Sequence, residues 1–382
     1  MRTIPDFDRY IGEQIARKRT VYAAYAVTRG RETVYENALG LADVEKGIPF
    51  TENSVLRLAS MTKPLTGAAV MKARELGLLS LSDKVSRFLP GFRRMRVALF
   101  GEGDEIVGEK PAETELTVAS LLNHTNGLGT GRVPCRLLAE ATKEDTLATL
   151  VPRYPEQLLD FEPGSATGYS GTMAFDVAAY LVELTSGMEY EEFLRKYILS
   201  PLGMEDTGYD LTPSMEKRLA GLYRADGEIT FVGERGGIFA NLSRSFKAGG
   251  SQVFSTLRDY REFAVMLLSE GRGRDREILS PESVRLLSTP SLPASLRGGN
   301  EEWGLSMRVI VKKDPPGQPL DPGAFGWSGA YETHFFIDPA RDLAAVLMKN
   351  IANGEGAGAP SAREFERAVM DAVGNDPLFL RG

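Results

Sequence analysis

A serine and a lysine stand three residues apart at Ser60 and Lys63, where the following sequence predicts a helix. Apolar positions recur at helical spacing after Lys63, and Pro64 suits a first turn because its missing N–H is not needed there. Residues three apart share one face of a helix, so the Lys63 amine can reach the Ser60 hydroxyl. A neighbouring base turns a serine into a nucleophile for acyl transfer. The helix N-terminus adds backbone N–H groups that favour an oxyanion.

The same four residues have a simpler interpretation when they are taken alone. A helix often begins with an N-cap serine, and a solvated lysine in the first turn is ordinary. The rest of the composition restricts the alternatives. With one cysteine, Cys135, and two histidines far apart, His124 and His334, the chain offers no disulfide and few ligands for a transition metal. We therefore expect no metal or cofactor, and acyl chemistry that relies on lysine and tyrosine rather than on a Ser-His-Asp triad.

The composition is that of a globular protein with room for two subdomains. The 382 residues are 42% hydrophobic and 25% charged, with a net charge of −7. Long Lys/Arg runs are absent, which argues against nucleic acid or an anionic membrane as a partner. No window reaches the roughly 18 apolar residues of a membrane span, and the N-terminal residues do not resemble a secretory signal. A cytoplasmic protein is the resulting expectation.

Strand patterns lie at both ends of the chain and helical patterns lie between them. The predicted strands cover residues 21–28, 33–41, 304–311, 331–337 and 343–350. The predicted helices cover residues 6–18, the segment from Ser60 to about Gly77, and residues 117–123, 143–150, 172–185, 190–199 and 255–268. A hairpin is expected over residues 95–113. Short turns between the C-terminal strands indicate an antiparallel sheet, so one discontinuous α/β part with an inserted helical part is the expected organisation.

Two further stretches accompany the serine and lysine. The three occur in the order Ser60-Met-Thr-Lys63, Tyr169-Ser170-Gly171 and Gly326-Trp327-Ser328-Gly329-Ala330. Together they resemble the serine β-lactamase and penicillin-binding-protein superfamily, in particular its class C-like branch and the family VIII carboxylesterases. In that superfamily the second stretch usually reads Tyr-Ser-Asn. The third usually reads Lys-Thr-Gly, or Trp-x-Gly in the esterases.

The resemblance implies a β-lactamase/transpeptidase-like α+β fold, in which helices flank an antiparallel sheet and a mostly helical subdomain is inserted. The expected boundaries place residues 1–62 and 226–382 in the discontinuous α/β subdomain and residues 63–225 in the helical one. The active site would lie at their interface.

The resemblance also implies a role for each matching residue. Ser60 would be acylated, and Lys63 and Tyr169 would act together as general acid and base. A phenol beside a lysine ammonium is stabilised as phenolate or shares its proton. Which of the two is the primary base stays open. The oxyanion hole would consist of the backbone N–H groups of Ser60 and Ala330.

Departures from the superfamily pattern point to the substrate. Gly171 stands where an asparagine usually contacts the amide of lactam and peptide substrates, and Trp327 stands where a lysine usually attracts a carboxylate. Gly171, Trp327, Ser328 and Gly329 are the expected substrate-binding residues. An aromatic wall without the cation suits a neutral acyl or alcohol group, so we expect a serine carboxylesterase acting on small or medium esters.

Other functions remain open at this point. The same site could serve an amidase, a D-aminopeptidase or a β-lactamase, or an acyltransferase that uses an alcohol as acceptor. From a different class, a ligand sensor would be acylated without turning over. The sequence leaves the oligomeric state undetermined.

Two histidines near these motifs have structural interpretations, and one serine is a poor candidate for the nucleophile. His124 is expected to support a loop through a hydrogen bond. His334 is expected to be structural or to lie at the pocket edge. Ser328 lies in a near match to the Gly-x-Ser-x-Gly elbow but lacks the final glycine and a following helix, so we do not expect it to be the nucleophile.

Overall fold

The computed structural model describes residues 2–233, 245–313 and 317–380. The α-helices in those residues are α1 (Pro5–Ala16), α2 (Thr62–Glu75), α3 (Val118–Leu122), α4 (Arg136–Ala139), α5 (Leu147–Leu150), α6 (Met173–Ser186), α7 (Tyr190–Leu194), α8 (Ser200–Leu202), α9 (Pro213–Lys217), α10 (Leu257–Leu268), α11 (Pro281–Ser288), α12 (Pro360–Gly374) and α13 (Pro377–Leu380). None of the helices in this part of the chain has the length and apolarity that crossing a bilayer requires.

The strands lie mostly near the two ends of the chain. They are β1 (Tyr22–Arg29), β2 (Glu32–Asp43), β3 (Ile48–Pro49), β4 (Leu56–Arg57), β5 (Arg96–Phe100), β6 (Ile106–Pro111), β7 (Leu222–Ala225), β8 (Ile229–Gly233), β9 (Phe254–Ser255), β10 (Glu301–Trp303), β11 (Arg308–Ile310), β12 (Phe325–Ser328), β13 (His334–Asp338) and β14 (Leu343–Met348). The hairpin predicted over residues 95–113 is present as β5 and β6.

Eight strands form one antiparallel sheet in the order β10-β11-β12-β13-β14-β1-β2-β3. The N-terminal strand β1 lies between β14 and β2, with Ala24 opposite both Met348 and Ala38. The N-terminal and C-terminal strands therefore share one sheet. The proposed subdomain boundaries at residues 62/63 and 225/226 stay a prediction.

Both faces of the central strand β1 are buried, because adjacent side chains point to opposite faces. Tyr25 packs against Phe7 of α1 and Phe365 of α12, which cover one face of the sheet. Tyr22 points the other way and stacks on Phe50 at a centroid distance of 4.4 Å. That second face continues into the large core formed by α2, α6 and α10. The site described below lies on the side of this large core.

Helix α2 is buried around almost its whole circumference, as expected of a helix in the centre of a domain. A close contact joins it to the turn between β10 and β11. A Cβ atom added to Gly67 of α2 would lie 2.1 Å from the Ser306 Oγ and 2.9 Å from the Ser306 Cβ, so a side chain at this position would displace Ser306. This contact holds the β10–β11 hairpin, including Trp303, beside the helix that follows Ser60.

Two of the predicted strands begin too early. Residues 304–307 form a turn in which the Gly304 N–H donates to the Met307 carbonyl and Ser306 has a φ of +75°. The predicted strand 304–311 is therefore wrong at its start, because a turn precedes β11 and the missed strand β10 precedes the turn. The predicted strand 331–337 begins only at His334, after a turn in which Glu332 has a φ of +71°. Left-handed residues end the extended backbone in both places.

Candidate active site

Ser60 lies in a short 3₁₀ turn, Ala59–Met61, that leads directly into α2. Ala59 has a φ of +48°, a conformation that costs a non-glycine residue about 1–3 kcal/mol. Neighbouring segments hold the turn in place. The Leu58 N–H donates to the Val253 carbonyl at 2.9 Å, and the Thr333 hydroxyl donates to the Leu58 carbonyl at 2.9 Å. The strained turn thus presents Ser60, which is 8% exposed, at a defined position.

Lys63 is fully buried one turn along the helix, and three oxygens surround its Nζ. The Ser60 Oγ lies at 3.4 Å, the Gly171 carbonyl oxygen at 2.6 Å and the Gly250 carbonyl oxygen at 3.0 Å. Nζ also lies 4.9 Å from the centroid of the Tyr169 ring. The structure therefore places the Lys63 amine next to the Ser60 hydroxyl and beside the Tyr169 ring.

This coordination suits a lysine that alternates between two protonation states. An ammonium group has three N–H donors, and each can point to one of the three oxygens. A neutral amine has two N–H donors, which the Gly171 and Gly250 carbonyls accept, and its lone pair is left for the Ser60 hydroxyl. The arrangement can hold the amine in place while one proton moves between Lys63 and Ser60.

Tyr169 is fixed by aromatic neighbours rather than by burial, since it is 37% exposed. Its ring stacks on Trp303 with a centroid distance of 5.9 Å and an interplanar angle of 16°. The Trp327 Nε1 donates to the Tyr169 hydroxyl at 3.4 Å. Trp303 and Trp327 contact each other edge to face at 4.7 Å. The two indoles therefore set the orientation of the phenol, and both line a cleft of about 280 Å³.

His124 lies beneath this aromatic group and is fully buried, with its ring centroid 4.9 Å from that of Tyr169. Its Nδ1 accepts a hydrogen bond from the Ser170 N–H at 3.1 Å. Burial, together with the nearby Lys63 charge, holds the pKa of His124 well below its usual range. The ring is therefore neutral and supports the loop that carries Tyr169, in agreement with the expected structural role.

The end of strand β12 touches the turn that carries Ser60. A Cβ atom on Gly329 would lie 2.3 Å from the Leu58 carbonyl oxygen, so this approach requires glycine. The Gly329 N–H donates to the Thr333 carbonyl at 2.7 Å. Ala330 follows in the same turn, and its N–H as an oxyanion donor stays a prediction. The Ser328 hydroxyl hydrogen-bonds to the His334 Nδ1 at 2.8 Å.

The sequence analysis missed a buried carboxylate, Asp176, in the first turn of α6. It accepts hydrogen bonds at 3.0 Å from both the Gly249 N–H and the Tyr154 hydroxyl. Burial raises the pKa of this carboxyl to about 7, although the Tyr154 hydroxyl and the Lys63 charge oppose the shift. Asp176 thus anchors Gly249. The next residue, Gly250, accepts a hydrogen bond from Lys63 through its carbonyl oxygen.

Trp303 was missed as well, because its contact with Tyr169 depends on the β10–β11 hairpin. One signal was available in the sequence. Trp303 and Trp327 are the two tryptophans of the chain, and a pair of rare large aromatic residues is often found at a binding site.

Comparison with known proteins identifies the family. The profile described as "Beta-lactamase" matches residues 7–368. This chain belongs to the beta-lactamase family. Among curated members of the family, Esterase EstB from Burkholderia gladioli is 31% identical over 394 residues, covering 96% of this chain and 94% of EstB. Protein Rv1367c from Mycobacterium tuberculosis is 30% identical over 331 residues, covering 82% of this chain and 81% of that protein.

Solved structures confirm the predicted fold of this beta-lactamase family member. The structure described as "EstCE1, a hydrolase with promiscuous acyltransferase activity" superposes with a TM-score of 0.78 and 22% identity. The superposition covers 96% of this chain and 97% of EstCE1. The relatives of this chain thus include a protein named as an esterase, EstB. A protein described as a hydrolase, EstCE1, has the same fold.

Proposed function

We propose that this chain is a serine hydrolase that cleaves small to medium neutral carboxylic esters through an acyl-enzyme on Ser60. The observation that carries the proposal is the position of the Lys63 amine, which two backbone carbonyls hold 3.4 Å from the Ser60 hydroxyl. The similarity to an esterase over almost the whole chain supports the same reaction class.

In the acylation step, the neutral Lys63 amine takes the Ser60 proton while Oγ bonds to the ester carbonyl carbon. The tetrahedral intermediate then collapses, and the bond between the carbonyl carbon and the alcohol oxygen breaks. The departing alkoxide receives the proton through Lys63 and Tyr169, so the alcohol leaves neutral.

In the deacylation step, a water molecule replaces the alcohol. Lys63 and Tyr169 take a proton from the water as its oxygen attacks the acyl carbon, and Ser60 regains a proton as its ester bond breaks. The N–H groups of Ser60 and Ala330 are the proposed donors to the oxyanion in both steps. One such donor typically lowers the transition-state free energy by about 3–4 kcal/mol.

The preference for neutral esters follows from what surrounds the cleft. Trp327 donates its N–H to Tyr169 and offers an apolar ring where the superfamily usually has a lysine cation. Gly171 has no side-chain amide to bind a peptide or lactam, and a Cβ atom there would meet open space. These two residues favour burial of an uncharged group over recognition of a carboxylate.

Covalent labelling tests the nucleophile. The wild-type chain, Ser60→Ala and Ser328→Ala are exposed briefly to a p-nitrophenyl alkylphosphonate, and their intact masses are measured. We expect one adduct on the wild type and on Ser328→Ala, and none on Ser60→Ala. Labelling of Ser60→Ala at the wild-type rate would overturn the assignment.

Substrate assays test the reaction class. Turnover of p-nitrophenyl esters of increasing chain length is compared with turnover of nitrocefin and of D-alanyl amides. We expect the highest kcat/KM with esters and many turnovers per chain. Faster cleavage of the amides would assign the chain to the peptidases. A single acyl group bound per chain without turnover would identify a sensor.

A further inference from the structure

The turn after β12 carries Ala330, the second proposed donor to the oxyanion. The Glu332 N–H donates to the Gly329 carbonyl at 2.9 Å, and the Gly329 N–H donates to the Thr333 carbonyl at 2.7 Å. Ala330 is thus the first central residue of a hydrogen-bonded turn, and the turn itself does not use the N–H of that residue. Within the described residues, no protein acceptor pairs with the Ala330 N–H. The direction of this N–H therefore depends on how the whole turn is held.

One set of contacts brings the turn beside Ser60. Gly329 approaches the Leu58 carbonyl so closely that a Cβ atom on it would lie 2.3 Å from that oxygen. Tyr331 packs in a small buried cluster with Ala59, the residue before the proposed nucleophile. The turn and the segment that presents Ser60 are therefore in direct contact.

A buried carboxylate holds the same turn to other parts of the chain. Glu332 is 8% exposed and forms an ion pair with Lys349, the residue after β14. Its Oε2 also accepts from the Ser361 hydroxyl in the first turn of α12 at 2.6 Å, and its Oε1 accepts from the Glu355 N–H at 3.3 Å. Burial opposes ionisation of this carboxyl, but Lys349 and these two hydrogen bonds hold its pKa below its usual range. Glu332 is therefore an anion bound to three separate segments.

The backbone of Glu332 is strained, and its side chain lies close to the Ala330 peptide. Glu332 has a φ of +71°, a conformation that glycine adopts freely and other residues do not. A Cβ atom added to Gly354 would lie 2.9 Å from the Glu332 Cγ and 3.0 Å from the Ala330 carbonyl oxygen. The loop after β14 thus packs on both residues at once, so a shift of the Glu332 side chain would also shift the Ala330 peptide.

We infer that Glu332 is a positioning residue, whose bound carboxylate holds the turn so that the Ala330 N–H points at the carbonyl oxygen of an ester on Ser60. The inference rests on the proposed esterase function and adds a residue to its oxyanion hole. Glu332 itself touches no reacting atom. Its effect passes through the turn to the Ala330 peptide.

A pair of substrates reports on the oxyanion hole. They are p-nitrophenyl butyrate and the thionoester in which sulfur replaces its carbonyl oxygen. The first develops negative charge on oxygen during attack and the second on sulfur, which is a weaker hydrogen-bond acceptor. A well-placed N–H donor therefore raises kcat/KM more for the oxygen ester than for the thionoester. The ratio of the two kcat/KM values, corrected for spontaneous hydrolysis, is the measurement.

Two double variants isolate the Glu332 side chain, and both carry Lys349→Met so that no buried ammonium is left unpaired. Glu332→Gly/Lys349→Met frees the turn and suits its backbone. We expect the ratio to fall about tenfold or more, because an oxyanion donor is misplaced. Glu332→Gln/Lys349→Met keeps an oxygen that can accept from Ser361 and the Glu355 N–H. Its ratio should stay within about threefold of the wild-type value.

Two single variants complete the comparison. Gly250→Ala displaces Lys63 and should lower kcat/KM for both esters by a similar factor, so its ratio should stay near that of the wild type. Gly354→Ala pushes on the Glu332 side chain and the Ala330 peptide without a change of charge, and its ratio should fall. This variant decides the question if Glu332→Gly/Lys349→Met does not fold. Thermal melting shows which variants are folded.

The outcomes separate the inference from the proposed function. An unchanged ratio in the folded variants that free or push the turn would overturn the inference and leave the esterase function standing. An equal fall in both double variants would also overturn it, because the effect would then belong to the lost ion pair and not to the bound carboxylate. If neither ester is hydrolysed and Ser60 is not labelled by the phosphonate, the proposed function fails and this inference fails with it.

Discussion

The indole N–H of Trp327 donates to the Tyr169 hydroxyl at 3.4 Å, which joins strand β12 to the loop before α6. The two residues are 158 positions apart, and their rings also touch at a centroid distance of 5.4 Å. The tryptophan therefore acts on the phenol directly, in addition to forming a wall of the cleft. Because the indole N–H occupies one lone pair of the phenol oxygen, it also restricts the direction of the Tyr169 O–H.

Trp327→Phe keeps an aromatic ring and removes this N–H. We expect kcat for p-nitrophenyl butyrate to fall about threefold to tenfold, because one hydrogen bond to Tyr169 is lost. Trp303→Phe is the control, since it trims the stacked ring without removing that donor. Steady-state kinetics of both variants gives the comparison. Equal losses of kcat would show that packing, and not the hydrogen bond, accounts for the role of Trp327.

Local spacing explains why part of the site could be predicted. Ser60 and Lys63 are three residues apart, so the helix alone brings them together. Tyr169 was found through a resemblance, and its position depends on contacts with Trp303 and His124 that no local pattern encodes. Asp176 looked like one polar position in a predicted helix. Its role follows from burial against Gly249, which depends on tertiary packing.

In the fold as well, local sequence patterns predicted some elements, while others depend on tertiary contacts. Alternating and apolar runs predicted β1, β2 and β14, and strand patterns at both chain ends predicted one discontinuous α/β part. That β1 pairs directly with β14 is seen only in the structure. Residues 304–311 were predicted as one strand because the residue with left-handed backbone in the turn is Ser306, with a φ of +75°, and not a glycine. The prediction therefore missed the turn and the strand β10 before it. The turn packs closely against Gly67 of α2, which is a tertiary contact.

Gly250→Ala should displace the Lys63 amine, the proposed base. The new Cβ atom would lie 3.1 Å from the Lys63 Nζ and 3.0 Å from the Gly171 carbonyl oxygen, so the lysine must move by a few tenths of an ångström. We expect kcat to fall at least about tenfold, because proton transfer depends steeply on geometry. Gly374→Ala, in open space at the end of α12, is the control. Wild-type kcat in Gly250→Ala with intact folding would contradict the role of this carbonyl.

Gly171→Asn should restore part of an amide-binding site. A Cβ atom at this position meets open space, so the side chain can enter the cleft without displacing its neighbours. The new amide can hydrogen-bond a lactam or peptide group, and we expect the ratio of nitrocefin to ester kcat/KM to rise about threefold to tenfold. Gly171→Ala adds the Cβ atom without the amide and should leave that ratio near the wild-type value. If the alanine variant shifts the ratio equally, the amide is not responsible.

Asp176→Asn removes a buried carboxyl group that accepts a hydrogen bond from the Gly249 N–H. The asparagine can still accept from the Gly249 N–H and can donate to the Tyr154 hydroxyl, so the two hydrogen bonds survive. The substitution therefore removes a titratable group while the anchor of Gly249 stays in place.

The same substitution changes the pH dependence of stability. Since burial raises the pKa of Asp176 from 3.8 to about 7, the folded state binds more protons than the unfolded state between these values. The free energy of unfolding contributed by this group therefore decreases as the pH rises from about 4 to 7. The Asp176→Asn variant has no carboxyl group that titrates at this position. Its free energy of unfolding, measured by urea titration, should therefore rise relative to that of the wild type between about pH 4 and 7.

Asp259→Asn is the matched control, because burial also raises the pKa of Asp259, to about 6. Its carboxylate accepts from the Asp206 N–H and the Thr207 hydroxyl, at the start of α10. This variant should change the pH dependence of unfolding over a narrower window, from about pH 4 to 6. If the stability of Asp176→Asn relative to the wild type does not change between about pH 4 and 7, the raised pKa of Asp176 is contradicted.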